Sequence, residues 1–125
     1  MDRLFIEETK SSPRIDFNPQ TGILIIEGQS YMENAFKFYK SLFEWMDEYF
    51  ELNTENVQVD IRLSYLNTSS TKCLMDIIFK LEQVVQIGKK VKVNWYYKSR
   101  NILECGEELQ EDLEEELEFN LLKEI

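Results

Sequence analysis

The sequence contains no histidine among its 125 residues. Histidine is the commonest general base near neutral pH, the commonest metal ligand and the usual partner of a catalytic serine or cysteine. Its absence removes the central residue of most hydrolase mechanisms. We therefore expect no catalytic residue, and we predict that the protein is not an enzyme.

Glycine is also scarce, with only four residues, at positions 22, 28, 88 and 106. This scatter supplies neither a dinucleotide-binding GxGxxG motif nor a Walker phosphate loop. The acidic residues near the C terminus are contiguous and lack the turn geometry of a calcium loop. We expect no bound cofactor and no metal ion. A small enzyme or a metal-binding domain is the least favoured of three hypotheses, and the other two, both regulatory proteins, are given below.

Cysteine is limited to Cys73 and Cys105, which have no CxxC spacing. Such a pair is typical of reduced packing residues, and carboxylates near Cys105 in the sequence would raise its pKa rather than activate it. No apolar run reaches membrane-spanning length, and the N terminus lacks the apolar segment of a signal peptide. We expect a cytoplasmic protein with no membrane partner.

The net charge of −10 is concentrated at one end of the chain. Residues 104–125 hold ten acids and one base and so carry −9, which leaves −1 for the remainder. Acidic surfaces disfavour phosphate backbones as partners. Lysines do flank Trp95, Tyr96 and Tyr97, a pattern that can stack bases, but strand alternation directs Trp95 and Tyr97 into the core. We expect no nucleic-acid partner.

The spacing of apolar residues predicts a single α/β domain over residues 1–125. Strands at 14–18 and 23–27, separated by Pro19-Gln20-Thr21-Gly22, form a predicted hairpin. Ser30 and Glu33 fit a capping box that opens a helix over 34–50. Further elements follow in order: a strand at 57–65, a helix to residue 87 ended by Gly88, a strand at 91–97, a short exposed helix at 102–116 and an edge strand at 117–121. Alternating strands and helices predict a mixed sheet with crossover helices.

The stretch from Val57 to Ile78 is the most informative part of the chain. One face of the predicted strand carries only apolar or aromatic residues: Val57, Val59, Ile61, Leu63 and Tyr65. Four polar residues, Asn67-Thr68-Ser69-Ser70, end the strand, and a helical apolar stripe begins at Leu74. The hydroxyl run therefore lies where a helix N-cap is expected. In parallel sheets ligands usually bind at this carboxyl end of a strand.

Four consecutive hydroxyl residues, at positions 68–71, exceed what capping requires. A capping hydroxyl contributes ~1 kcal/mol, and one residue suffices. The free N–H groups and the dipole of a helix N terminus also favour a phosphate. A phosphate on Thr68 would add about −1.5 to −2 charges to a neutral surface. A phosphate at this turn, with Asn67, Ser69 and Ser70 as its setting, would therefore switch a binding surface off without unfolding the protein.

The helix over 34–50 carries more aromatic residues than one narrow stripe holds. Its apolar residues form two adjoining rows at helical spacing. These rows are either one broad core face or a core face beside a partner-binding surface. One row comprises Phe36, Tyr39, Phe43, Met46 and Phe50. Its candidate partner contacts are Phe36, Phe43 and Phe50.

Several short motifs together resemble the SiaC-like biofilm regulatory phosphoproteins, a bacterial family with a fold like that of anti-sigma-factor antagonists (STAS-like). The motifs are Ser12-Pro13, Gly28-Gln29-Ser30-Tyr31, Glu33-Asn34-Ala35, Phe38-Tyr39, Glu44-Trp45, Leu63 to Ser70 with Lys72, Val93 to Tyr97, and Glu104-Cys105-Gly106-Glu107. The match runs through most of the chain. Met32 departs from an expected proline, and Lys98-Ser99-Arg100-Asn101 replaces a loop that we expect to be acidic.

The resemblance implies a partner switch. The family's phosphorylated threonine corresponds to Thr68, a dedicated serine/threonine kinase adds the phosphate, and a PP2C-like phosphatase removes it. The unphosphorylated form would bind and activate a diguanylate cyclase, with cyclic di-GMP and biofilm formation as the output. The alternative is an anti-sigma-factor antagonist of a different partner-switching pathway.

Overall fold

The structure, a computed structural model, describes residues 1–52, 56–114 and 116–125. The elements are β1 (Leu4–Ile6), β2 (Arg14–Asn18), β3 (Ile23–Ser30), α1 (Ala35–Glu51), β4 (Asn56–Leu66), α2 (Thr68–Gln86), β5 (Lys90–Tyr97), α3 (Arg100–Glu111) and β6 (Glu118–Lys123). The element order and the α/β class match the sequence prediction. No helix in these ranges is long and apolar enough to cross a membrane.

The six strands form one mixed sheet in the order of the sequence. β1, β2 and β3 pair antiparallel, so the predicted hairpin is confirmed, and β3 to β6 pair parallel. Each parallel neighbour is reached through a helix, because parallel strands need a crossover connection. The carboxyl ends of β3, β4 and β5 therefore lie at one edge of the sheet, together with the N termini of the three helices. We call this edge the carboxyl edge.

The helices form one layer, in which α2 contacts both α1 and α3. Right-handed crossovers that advance one strand at a time place successive helices on the same face of a sheet. The core between the layers includes the alternate residues Val57, Val59, Ile61 and Leu63 of β4 and the fully buried Trp95 of β5. The predicted core position of Trp95 is confirmed, and its indole N–H donates to the carbonyl of Ile102 at 2.9 Å.

The opposite face of the sheet is polar, and no helix formed by the described residues packs on it. The carboxylate of Asp60 accepts hydrogen bonds from the side chains of Gln58 and Asn94 at 3.0–3.1 Å. Arg62 lies over the ring of Tyr96, with its guanidinium carbon 3.8 Å from the ring centroid. Opposite charges on this face also pair, Arg14 with Glu27 at 2.7 Å and Arg62 with Glu124 at 3.8 Å, so their charges largely cancel.

Two predicted helix boundaries are wrong. The residue that caps α1 is Asn34, whose side chain accepts from the N–H of Lys37 at 3.1 Å. Ser30 belongs to β3 and is fully buried, so the predicted capping box with Glu33 does not form. α3 ends at Glu111 instead of continuing to residue 116, of which Glu115 lies outside the described residues. α2 is followed by Gly88 at a φ of +101°, as predicted.

Candidate functional site

The end of β4 departs from regular strand geometry just before the hydroxyl run. Gly28 pairs with Leu63, but Gln29 pairs with Tyr65, so Ser64 is an extra residue on β4. Such a bulge bends a strand and redirects its side chains. Tyr65 is consequently 55% exposed, which corrects the prediction that it shares the buried face of Val57 to Leu63.

Asn67 ends the strand and caps α2. Its side-chain oxygen accepts from the N–H of Ser70 at 2.9 Å, and its amide donates to the carbonyl of Met32 at 3.1 Å. Its own backbone N–H donates to the carbonyl of Ser30 at 3.0 Å. The N-cap is therefore an asparagine held by the end of β3, and none of the four hydroxyl residues is needed for that role.

The four hydroxyl residues that follow have different environments. Ser70 is fully buried, and its hydroxyl lies 2.7 Å from that of Ser30. The Thr71 hydroxyl donates to the carbonyl of Asn67 at 3.1 Å, and the exposed Ser69 hydroxyl donates to the Asn67 side chain at 3.3 Å. Thr68, the first residue of α2, is exposed, and its hydroxyl has no hydrogen-bond partner in the described ranges.

A buried hydrogen-bond chain fixes the first turn of α2. The hydroxyl of Ser30 lies 2.8 Å from that of Tyr39 in α1 and contacts Ser70 in α2, so one serine joins a strand end to two helices. Burial raises the pKa of Tyr39 to about 12, despite the opposing effect of the Ser30 hydrogen bond. The tyrosine is thus neutral and able to donate a hydrogen bond throughout the physiological range.

Exposed aromatic residues lie along the carboxyl edge beside Thr68. The rings of Tyr31 and Tyr65 meet edge to face with centroids 5.4 Å apart, and both are partly exposed. Phe36, in the first turn of α1, is 64% exposed. We call Tyr31, Phe36 and Tyr65 the aromatic edge. The exposure of Tyr65 is not predictable from period-two alternation, because alternation does not reveal the bulge at Ser64.

The three phenylalanines singled out from the sequence do not share one surface. Phe36 is exposed, Phe43 is partly buried against the core, and Phe50 is only 8% exposed. Phe50 therefore belongs to the core and is not available as a partner contact. Tyr39 and Met46 of the same row are also buried, which favours the broad core face over a continuous aromatic binding surface.

Neither cysteine is activated for nucleophilic chemistry. Burial is the main cause that raises the pKa of the Cys73 thiol and also that of Cys105, with Glu108 raising the latter further. The predicted direction for Cys105 is confirmed, although burial outweighs the carboxylates as its cause. Within residues 1–52, 56–114 and 116–125, no three His, Cys, Asp or Glu side chains form a group that could hold a metal ion.

Comparison with known proteins identifies relatives over nearly the whole chain. Residues 6–124 match the family described as SiaC family regulatory phosphoproteins. A protein of Pseudomonas aeruginosa strain UCBPP-PA14, itself uncharacterized, is 38% identical over 114 residues, which is 90% of this chain and 90% of that protein.

Two solved structures from Pseudomonas aeruginosa share the fold. Apo-SiaC is 36% identical with a TM-score of 0.90, over 98% of this chain and 99% of that one. The second is the crystal structure of diguanylate cyclase SiaD in complex with its activator SiaC. The matched chain of that complex is 33% identical with a TM-score of 0.90, over 97% of this chain and 99% of that one.

Proposed function

This chain belongs to the SiaC family of regulatory phosphoproteins, and on that premise we propose that it is a non-enzymatic partner switch controlled by Thr68. The unphosphorylated form binds and activates a diguanylate cyclase. Phosphorylation of Thr68 ends that interaction. The supporting comparison is the SiaC relative that forms a complex with the cyclase SiaD as its activator.

The observation that carries the proposal is the separation of the exposed Thr68 from the structural hydroxyls around it. Asn67 already caps α2, and Ser70 is buried against Ser30. Modification of Thr68 therefore breaks no hydrogen bond of the described structure. A kinase can reach this hydroxyl without unfolding the helix.

A phosphate on Thr68 fits the local electrostatics. The first N–H groups of a helix have no acceptor within the helix, and its dipole favours an anion there. Lys72 lies four residues further on and is exposed, so it shares the face of α2 with Thr68. The fold would persist while the surface gains about −1.5 to −2 charges.

The same charge would disrupt a protein interface at the carboxyl edge. Tyr31, Phe36 and Tyr65 offer exposed aromatic surface, and aromatic residues are enriched at the centres of interfaces. An effector that covers the aromatic edge would also cover Thr68, three residues after Tyr65. Burying a phosphate in such a contact without a cationic partner is costly, which explains how modification releases the effector.

The switch requires one enzyme that adds the phosphate and another that removes it. We infer a dedicated serine/threonine kinase and a PP2C-like phosphatase, with cyclic di-GMP and biofilm formation as the output in the bacterial cytoplasm. The protein itself contributes recognition, because its described surface presents neither an activated nucleophile nor a metal-binding cluster.

The direct test compares Thr68→Ala and Thr68→Glu with wild type. Binding to the diguanylate cyclase from the same organism is measured by calorimetry, and its activity by cyclic di-GMP formed from GTP. We expect Thr68→Ala to bind and activate like wild type. We expect Thr68→Glu to bind at least tenfold more weakly, because it places a charge inside the contact.

Ser69→Ala is the matched control, since Ser69 is the exposed neighbouring hydroxyl. The purified kinase should add one phosphate to wild type and Ser69→Ala, measured by intact mass, and none to Thr68→Ala. Equal cyclase binding by Thr68→Ala and Thr68→Glu, or phosphorylation of Thr68→Ala, would contradict the switch. Co-purification with a histidine-kinase-like anti-sigma factor instead of a cyclase would favour the antagonist alternative.

A further inference from the structure

A second surface with the character of a binding site lies between α2 and α3. It is a groove of about 380 Å³ whose apolar lining comes from both helices. The lining residues are Met75, Ile78 and Phe79 from α2 and Leu109 and Leu113 from the α3 side. This groove begins about 10 Å from Thr68, since α2 rises 1.5 Å per residue over the seven residues to Met75.

The groove exposes large apolar side chains that the core does not use. Phe79 is 58% exposed and Met75 is 43% exposed, and they lie one turn apart on the same face of α2. Both side chains lie among the other apolar residues that line the groove, so neither is an isolated apolar residue on the surface. Two exposed apolar side chains one helical turn apart can contact the apolar face of a partner helix that lies in the groove.

The rim of the groove is acidic. Asp76 and Asp112 are exposed at its edges, and neither has an ion-pair partner in the described part of the chain. α3 carries further exposed acids outside the groove lining: Glu104, Glu107, Glu108 and Glu111. Of these four, Glu104 alone has an ion-pair partner among the described residues, Arg100 at 3.0 Å. The groove is thus an apolar channel with an acidic rim, on a helix that adds to the negative potential.

Glu82 gives the groove a specific polar element. Its side chain is only 6% exposed, although it lines the groove. One carboxylate oxygen accepts from the backbone N–H of Glu114 at 2.6 Å. The other oxygen has no hydrogen-bond donor, and no cation lies within 4.0 Å, among the described residues. A buried carboxylate normally has a cationic partner or several hydrogen-bond donors. This oxygen can therefore accept a hydrogen bond from a cationic side chain of a partner.

We propose that the groove between α2 and α3 binds a basic amphipathic helix of a protein partner. Aliphatic side chains of that helix pack on Met75 and Phe79. Lysine or arginine side chains on its flanks meet Asp76 and Asp112, and one arginine donates to the free oxygen of Glu82. The negative field disfavours an anionic membrane or a nucleic acid as the occupant.

This inference goes beyond the proposed switch and does not depend on it. The predicted effect of a negative charge at position 68 also differs between the two surfaces. A negative charge at position 68 should release an effector from the aromatic edge, whereas it should not weaken binding of a basic helix. Thr68→Glu therefore separates the two proposals.

The probe is a designed 18-residue helical peptide with a leucine stripe flanked by arginines, labelled for fluorescence anisotropy at 150 mM NaCl. One comparison peptide replaces the arginines by glutamates, and another scrambles the order so that charge is kept and the stripe is lost. We expect the designed peptide to bind wild type and Thr68→Glu equally well. Phe79→Ser should weaken binding at least tenfold, and Glu82→Gln at least threefold.

The matched control is Glu44→Gln with Glu48→Gln, which removes two exposed acids from α1, away from the groove. It should leave binding within twofold, and circular dichroism verifies that each variant is folded. Equal binding of the scrambled peptide, or full binding by Phe79→Ser, would reduce the effect to non-specific attraction and overturn the proposal. Tighter binding of the glutamate peptide, or no binding of any peptide, would also overturn it.

Discussion

Neighbouring hydroxyl residues in the first turn of α2 have different roles because the helix turns each one toward a different environment. Thr68 faces solvent, and Ser70 faces the core, where it meets Ser30 at 2.7 Å. Residue type alone does not distinguish them. The sequence indicated an excess of hydroxyls. That Thr68 is exposed and Ser70 is buried depends on the residue at which the helix begins, which is Thr68.

The buried hydrogen bond should make Ser70 far more sensitive to substitution than Ser69. Ser70→Ala leaves the Ser30 hydroxyl with Tyr39 and the weak acceptor sulfur of Met32, and we expect a loss of about 1–2 kcal/mol in the free energy of unfolding. Ser69→Ala, at an exposed position, should change it by less than ~0.5 kcal/mol. Urea unfolding followed by circular dichroism measures both. Equal losses would show that the Ser30 hydrogen bond contributes no net stability.

At the level of elements, the helices and strands are predictable where apolar periodicity is strong. β2 and the hairpin to β3 agree with the prediction, as does the order of the later elements, because each buries one regular face. The bulge at Ser64 was missed because it depends on the pairing of β4 with β3. The capping residue of α1 was wrongly assigned because Ser30 is held in β3 by its contacts with Tyr39 and Ser70, which are distant in sequence. α3 was predicted too long because its acids continue past Glu111, where the helix ends.

The close packing of α3 at Gly106 is also not predictable from the spacing of apolar residues. A Cβ at this position would lie 2.6 Å from the indole of Trp95 and 2.7 Å from the Leu121 side chain. Glycine therefore permits α3 to approach β5 closely. The sequence identifies this glycine only as a helix residue of low propensity.

Gly106→Ala should destabilise the protein even though alanine is the better helix former. Helix propensity would contribute up to about 1 kcal/mol of stabilisation, whereas overpacking a buried ring costs about 1–3 kcal/mol. Trp95 is fully buried and its indole N–H is bonded to the carbonyl of Ile102, so the second effect should exceed the first. Urea unfolding gives the change, with Glu107→Ala on the exposed face as the control. A more stable Gly106→Ala variant would contradict the close packing.

At the scale of the whole molecule, charge is divided between two faces. The helix-free face of the sheet pairs its charges across strands: Arg3 with Asp16, Arg14 with Glu27 and Arg62 with Glu124. α3 and the residues after it instead hold most of the net charge of −10. This imbalance was predictable from the sequence, whereas the neutrality of the sheet face was not, because it depends on strand register.

The division of charge predicts that added salt stabilises the protein. Salt screens the repulsion among the acids of α3, while the sheet-face pairs are short-range and partly buried, so they are screened less. Raising NaCl from 20 to 500 mM should increase the free energy of unfolding by about 1 kcal/mol, measured with urea at each salt concentration.

Two acids of α3 should account for part of this response to salt. Glu107 and Glu111 lie one turn apart on α3, and like charges at this spacing repel by about 0.2–0.5 kcal/mol. Glu107→Gln with Glu111→Gln should therefore stabilise the protein at 20 mM NaCl and reduce its response to salt. Asp16→Asn with Glu27→Gln is the matched control, because it removes two acids that are paired with arginines and should destabilise slightly. A wild-type protein that loses stability in salt would mean that the sheet-face pairs outweigh the repulsion in α3.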